Sequence, residues 1–343
     1  MAVIEQVVND KYAIYNGDSA EWIRSIPDQS VGLTVYSPPF ASEKGGCLYN
    51  YSSSVRDLSN ARTYDEFFEH YEYIVENIAR ITMPGRISAV HCMDVPIEGA
   101  NIGGYSDFPG DIIKLHRKHG FEYLPRICIW KEPLEVRNRT MMKSLTHRQV
   151  CTDSCAVNVA AADYLLQFRR QGTNPSPVTH ENGFIVYHGE REMPQELFKY
   201  RGWKGNQIEN RWSHQIWRRY ASCFWDDIRM DNVLPYEESK DEGDERHQHP
   251  LQLDVIHRCV ELWSNPGDVV LTPFMGVGSE VYGAVMNGRK GVGCELKPSY
   301  FVQAVKNLKA AEETLANGKE TTRNMFDGLV DDGADAGADQ GTQ

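Results

Sequence analysis

LTPFMGVGSE, residues 271–280, stands where an apolar run gives way to a helical one. DVVLTPF (268–274) reads as a buried strand and SEVYGAVMNG (279–288) as the helix after it. Between them, Gly276 and Gly278 allow a sharp turn and a close approach of backbone to a ligand, and the first turn of the helix offers unpaired N–H groups. Seventeen residues past Gly278 a second strand, in RKGVGCEL (289–296), ends in Glu295. An acid at that strand end is placed to accept both hydroxyls of a ribose. Strand, Gly-x-Gly turn, helix, strand and acid together predict a nucleoside-type cofactor on a parallel sheet. A dinucleotide fingerprint would carry a third glycine where this chain has Val281, and no Lys-Ser/Thr follows the glycines, which disfavours phosphate-loop chemistry. A ligand with a ribose and adenine but no pyrophosphate fits better, and S-adenosylmethionine is one.

The same alternation runs through the N-terminal part. YAIYNGD (12–18) and VGLTVY (31–36) read as strands with the short helix SAEWIRSIP (19–27) between them. TYDEFFEHYEYIVENIARI (63–81) has helical spacing, with Thr63 and Glu66 as a capping box. MPGR then turns the chain into the strand ISAVHCMD (87–94), residues 107–119 read as a helix, and FEYLPRICIW (121–130) as one or two strands. Regularity returns in the amphipathic HPLQLDVIHRCVELWS (249–264) and in a last helix, PSYFVQAVKNLKAAEETL (298–315). The expected fold is therefore α/β, a Rossmann-like doubly wound sheet covered on both faces. Residues 1–130 and 226–317 form its two halves, 131–225 an insert, and 318–343 a disordered acidic tail.

VYSPPF (35–40) closes its strand in an unusual way. Neither proline has an N–H to donate, so the ladder stops in a stiff, extended segment with exposed carbonyls beside an aromatic ring. Such a rack of acceptors suits a ligand that donates.

Composition sets the bounds. The chain has 343 residues, 41% hydrophobic and 24% charged, which is ordinary for a globular protein. No apolar run approaches membrane-spanning length and the N-terminus lacks a signal peptide's features, so no membrane partner and a cytoplasmic protein, bacterial or phage-encoded, are expected. The eight cysteines are scattered, which favours buried thiols over disulfides, and Cys151 and Cys155 beside His147 lack the second pair that would complete a metal site. The net charge of −12 is uneven. Residues 114–220 hold eighteen Lys/Arg against ten Asp/Glu, and acidic segments more than a Debye length away do not cancel such a surface. His91 and His257 lie in apolar stretches and read as core histidines.

Taken together, these motifs resemble the DNA amino-methyltransferases. SPPF is similar to their catalytic motif, in which Ser, Asp or Asn precedes Pro-Pro and an aromatic. LTPFMGVGSE resembles their cofactor loop, and GVGCELKPSYF their ribose strand and following helix. Catalytic motif first, recognition insert next and cofactor loop last is the order of their β class. The resemblance implies S-adenosylmethionine as cofactor and an exocyclic amine of a flipped base as acceptor, on adenine N6 or cytosine N4. It implies that Ser37 and the carbonyl of Pro38 accept the amine's N–H bonds, with Pro39 completing the rack and Phe40 stacking on the base. Asp18 would serve the adenine end of the cofactor, Phe274, Gly276 and Gly278 the methionine end, and Glu295 the ribose. The loop usually opens with an Asp that grips the methionine ammonium; here Thr272 offers only a hydroxyl.

Double-stranded DNA is the implied partner. Tyr49 and Tyr51, in a Gly- and Ser-rich loop, and Arg139, Lys204, Arg211, Arg218 and Arg219 are the candidate DNA contacts, some of the neighbouring aromatics being core of the insert instead. A homodimer with two inserts on one site is expected by resemblance alone. No endonuclease motif is present, so any nuclease partner would be a separate chain. Two other readings stay open: a DNA-binding regulator that kept the fold and lost catalysis, as Thr272 would permit, and a methyltransferase acting on RNA.

Overall fold

The computed structural model describes residues 3–43, 46–47, 57–97, 104–140, 144–239 and 250–327. Strands β1 (Glu5–Val8) and β2 (Tyr12–Asn16) form an edge hairpin, and helix α1 (Ser19–Trp22) leads to β3 (Val31–Tyr36). Helix α2 (Tyr64–Ile81) runs directly into β4 (Thr82–Met93), followed by α3 (Phe108–Lys118), β5 (Phe121–Tyr123), β6 (Ile127–Ile129) and β7 (Asp163–Arg170). Beyond a stretch of short turns come α4 (Arg211–Tyr220), β8 (Phe224–Trp225), α5 (Leu253–Trp263), β9 (Val269–Thr272), α6 (Ser279–Met286), β10 (Lys290–Glu295) and α7 (Pro298–Asp327).

One ten-stranded sheet organises these elements in the order β1-β2-β10-β9-β3-β4-β7-β6-β8, with β5 also paired to β7. Strands β2, β10, β9, β3 and β4 are mutually parallel; β7 is antiparallel to both β4 and β6. All six residues of β3 are buried, as a strand covered on both faces requires. Tyr36 faces the core built with α2 and α3 (Phe67, Tyr71, Ile78, Phe108), while Leu33 and Val35 face the core built with α5 (Val255, Ile256, Val260). The sequence reading of a doubly wound sheet therefore holds.

Three expectations change. The segment 131–225 is not a separate insert throughout, because β7 returns from it into the sheet, between β4 and β6. DYLLQFRR carries charge at both ends and lies between turn-rich segments, so its strand character shows only once β4 pairs with it. The acidic tail does not begin at 318: α7 continues to Asp327, since one glycine costs a helix only about 1 kcal/mol. Thr63 does cap α2 by accepting from the Glu66 N–H at 3.1 Å, but the Glu66 carboxylate accepts from the Arg62 N–H, so the reciprocal half of the box is displaced by one residue.

Candidate active site

Strands β3 and β9 lie side by side, with Val270 next to Leu33 and Leu271 next to Thr34. The chain leaves β9 toward β10 on one side and leaves β3 toward β4 on the other. That is the switch point of the sheet, where doubly wound folds bind ligands outside the carboxyl ends of their strands. The two motifs meet here. Tyr36, the last residue of β3, is anchored by hydroxyl contacts to Tyr71 (3.0 Å) and His116 Nε2 (3.2 Å), and its ring centroid lies 5.9 Å from that of Phe274. A cleft of about 510 Å³ opens above, lined among others by Asp18, Ser37, Pro39, Phe40, Phe274, Gly276 and Glu295. That volume is within the usual range for small-molecule sites.

In the half nearer β10, Glu295 is held in place from several directions. Its Oε2 accepts from the Gly276 N–H and its Oε1 from the Lys297 N–H, both at 2.8 Å. Its backbone carbonyl accepts from Asn16 Nδ2 (2.8 Å) and the Gly17 N–H (2.9 Å), which locks the end of β2 to the end of β10. Asp18 caps α1 by accepting from the Ala20 N–H at 2.9 Å, and the Ser19 hydroxyl donates to the Pro273 carbonyl. Glu280, in the first turn of α6, is 5% exposed and lines the same cleft. Burial raises the Glu280 carboxyl to about 8, with a smaller contribution from the Glu295 charge, and burial raises Glu295 to about 7 against its two backbone hydrogen bonds.

Two assignments to this half change. Thr272 is buried at the end of β9 and does not line the cleft; its hydroxyl has no partner among the described residues, and neither has that of Ser279, which does line it. Gly278 does not line the cleft either. At φ 92° it caps α6, and a Cβ built there would sit 3.1 Å from the Cβ of Ala304 in α7. Gly276, at φ 53°, has open space where its Cβ would be. The first glycine thus faces the cleft and the second lets two helices pack. Gly278→Ala should cost roughly 1–2 kcal/mol of stability through the left-handed backbone and the Ala304 contact. Urea denaturation would read this as a lower midpoint, and the variant that remains folded should bind ligand as the wild type does.

In the other half, four neighbouring strands each contribute one polar side chain. Ser37 follows β3, His91 lies in β4, Asp163 opens β7 and Lys131 follows β6, and all four line the cleft. Because β7 runs antiparallel, its first residue shares a sheet edge with the ends of the others. Ser37 Oγ is 3.1 Å from His91 Nδ1 and 3.3 Å from the His91 carbonyl; His91 Nε2 is 2.7 Å from Asp163 Oδ2, which also pairs with the Lys131 ammonium. Burial alone would raise the Asp163 carboxyl, but the Lys131 charge, the His91 ring and hydrogen bonds from both hold it well below the usual carboxylate range. His91 is thus no ordinary core histidine. Phe40 lies against it, ring centroids 6.0 Å apart, and against Phe108 at the same separation. Pro38 is buried and does not line the cleft.

The basic residues sit on the part of the chain around α4. Lys204, Arg211 and Arg218 are exposed, and Arg219 is half-buried. On α4, Arg211, His214, Trp217 and Arg218 face outward while Trp212, Ile216 and Tyr220 pack into a small core with Phe184 and Leu197. Arg139 falls in the helix Pro133–Thr140. Tyr49 and Tyr51 lie outside the described residues. Nothing in the sequence marks His91, Asp163 and Lys131 as a group, because only the strand order brings them together.

The chain matches the family model for DNA methylases over residues 31–306. It is similar to the type II methyltransferase M.BamHI of Bacillus amyloliquefaciens, 24% identical over 318 residues, which are 92% of this chain and 62% of that protein. It is similar to M.MthZI of Methanothermobacter thermautotrophicus at 22% identity, over 84% of this chain and 74% of that one. The chain therefore spans less than two thirds of M.BamHI. Among solved structures, the cytosine-N4-specific PvuII DNA methyltransferase superposes with a TM-score of 0.56 at 15% identity over 89% of each chain. A putative DNA modification methylase of Thermus thermophilus, complexed with S-adenosyl-L-methionine, superposes with a TM-score of 0.55 at 22% identity, over 88% of this chain and 95% of that one. At these identities the superpositions speak to the fold. The family match runs from β3 through the glycine turn into α7, and by it this chain belongs to the N6/N4 DNA methylase family.

Proposed function

We propose that the chain transfers a methyl group from S-adenosylmethionine to the exocyclic amine of adenine or cytosine in double-stranded DNA. One observation carries this reading: Ser37 and Phe40 share a single cleft with Gly276, Glu280 and Glu295 at the switch point of the sheet. The residues of the β10 half fit the cofactor. Glu295 offers carboxylate oxygens for a ribose, Phe274 an aromatic wall, and Glu280 with the Ser279 hydroxyl a polar end for a methionine ammonium, the charge that Thr272 lacks. Bound there, S-adenosylmethionine supplies an electrophilic methyl on a sulfonium sulfur.

The rest falls to the protein. An aromatic amine is a weak nucleophile because its lone pair is shared with the ring. Acceptors fixed on its N–H bonds favour a pyramidal nitrogen, and dipoles set before reaction are commonly the largest catalytic contribution. Ser37 is the acceptor this reading relies on, with Phe40 as the stacking surface that holds the base in line with the methyl. The base must first leave the duplex, at a cost of roughly a few kcal/mol. Residues 131–162 and 171–223, including the exposed face of α4, form the proposed DNA-reading surface. The test is incubation with tritiated S-adenosylmethionine and unmodified duplex DNA, then digestion to nucleosides. Label in N6-methyl-2′-deoxyadenosine or N4-methyl-2′-deoxycytidine is expected, and label found only when RNA is supplied in place of DNA would overturn the DNA assignment.

The two raised acids give a pH dependence. In the ligand-free protein each carboxyl is raised above its ordinary 4.5, so the fold binds more protons than the unfolded chain between about 4.5 and 8. Stability of the free protein should therefore fall as pH rises through this window. Ribose hydroxyls and an ammonium both need these groups ionised, so S-adenosylmethionine affinity should rise from pH 6 to pH 8.5. Thermal melting with and without cofactor should show a ligand-induced shift that grows over that range; a shift independent of pH would remove both acids from the site.

A further inference from the structure

A serine at the head of the Pro-Pro motif poses a problem that an aspartate or asparagine would not. A hydroxyl carries one donor and two lone pairs, whereas a carboxylate or amide oxygen only accepts. The amine of a base brings two donors to the site. Ser37 can hold it as an acceptor only if its own hydrogen is directed elsewhere. We propose that His91, oriented by Asp163 and Lys131, takes that hydrogen in a hydrogen bond and so presents Ser37 Oγ to the base as lone pairs alone. The inference rests on the reading of Ser37 as the contact to the base amine.

The geometry sets the polarity of the chain of bonds. Asp163 is 3% exposed and paired with the Lys131 ammonium, so its carboxylate accepts. At 2.7 Å from Asp163 Oδ2, His91 Nε2 therefore carries a hydrogen and donates it. A neutral ring then has its lone pair on Nδ1, 3.1 Å from Ser37 Oγ, and accepts from the serine. Lys131 already gives the carboxylate its counter-charge, so the pair is balanced with a neutral imidazole. The His91 carbonyl, 3.3 Å from Ser37 Oγ, is the longer alternative for the same hydrogen and leaves the serine with the same polarity. Phe40 packs on the His91 ring, which ties the stacking surface and the orienting group together. His91 is in this sense a positioning residue, acting on the base through Ser37.

Strand order explains why four residues so far apart in sequence can do this. β3, β4, β7 and β6 are consecutive in the sheet, and each places one member of the chain at the same edge. The direction of every bond then follows from the charge at its far end.

The test uses the full chain and single-turnover transfer from tritiated S-adenosylmethionine to unmodified duplex DNA. His91→Ala should lower the rate roughly 100-fold, the scale for losing one preorganised dipole. His91→Asn keeps an acceptor oxygen at the Nδ1 position without reaching Asp163, and should recover to within about tenfold of wild type. Cofactor affinity by calorimetry should be unchanged in both. In a Ser37→Asn background, where the oxygen needs no orienting, His91→Ala should cost less than about threefold. Equal loss in H91A and H91N, or wild-type rates in both, would overturn the inference. So would an inactive S37N variant, since an intrinsic acceptor is what the serine is held to imitate. Failure of the wild type to label any DNA is a separate result that would remove the methyltransferase reading itself, and this inference with it.

Discussion

Ser37→Ala should abolish most methyl transfer to DNA, by a factor on the order of 10² to 10³, while leaving S-adenosylmethionine binding within about twofold of wild type. The side chain removed is small and half-buried, and among the described residues its hydrogen bonds go only to His91, so little of the fold depends on it. The cofactor half of the cleft, built on β9 and β10, touches it only across the open space. Loss of rate with retained binding would mark an interaction made with the reacting amine. Calorimetry and single-turnover labelling on one preparation read both quantities. Wild-type labelling by the alanine variant would sink the assignment of Ser37, and lost cofactor binding would mean that the two halves are not independent.

The reading from sequence succeeded where periodicity and a local geometric demand coincide. β3 is followed within three residues by two prolines that cannot donate, β9 within four by a glycine at positive φ, and Glu295 closes a strand whose partners are both parallel. Each is a local constraint written in adjacent residues. What was missed depends on registry between distant segments. Asp163 is 72 residues from His91, and nothing near either one marks the pairing. β7 has a strand's apolar residues but sits in a basic, turn-rich region, and its place between β4 and β6 is a tertiary fact. The two glycines illustrate the limit from another side: both were expected to approach a ligand, yet one faces the cleft and the other a helix. Thr272 marks it too, because a departure from a family pattern cannot by itself name the group, proposed above to be Glu280, that takes up the missing charge.

Arg258→Met should destabilise the protein by roughly 3–5 kcal/mol, the cost of leaving a buried charge without its partner. Arg258 is fully buried on α5, and its guanidinium donates to Asp227 Oδ1 (2.9 Å) and to the His188 carbonyl (2.7 Å). It also lies over the rings of Tyr220 (4.8 Å) and Trp225 (5.0 Å). Asp227 is 1% exposed and accepts a further hydrogen bond from Tyr187. These partners come from the chain around α4 and β8, so one arginine fastens the proposed DNA-reading region to the helix that backs the sheet. Methionine keeps most of the apolar stem and limits the cavity, which leaves the unpaired Asp227 as the main cost. Melting should fall by on the order of 10 °C. Adding Asp227→Asn removes the stranded charge, so the double variant should be more stable than the sum of the two single changes allows. Strict additivity would mean that the pair contributes only as bulk. If the fastening is as described, DNA binding should weaken in Arg258→Met at temperatures where the sheet is still folded and S-adenosylmethionine still binds.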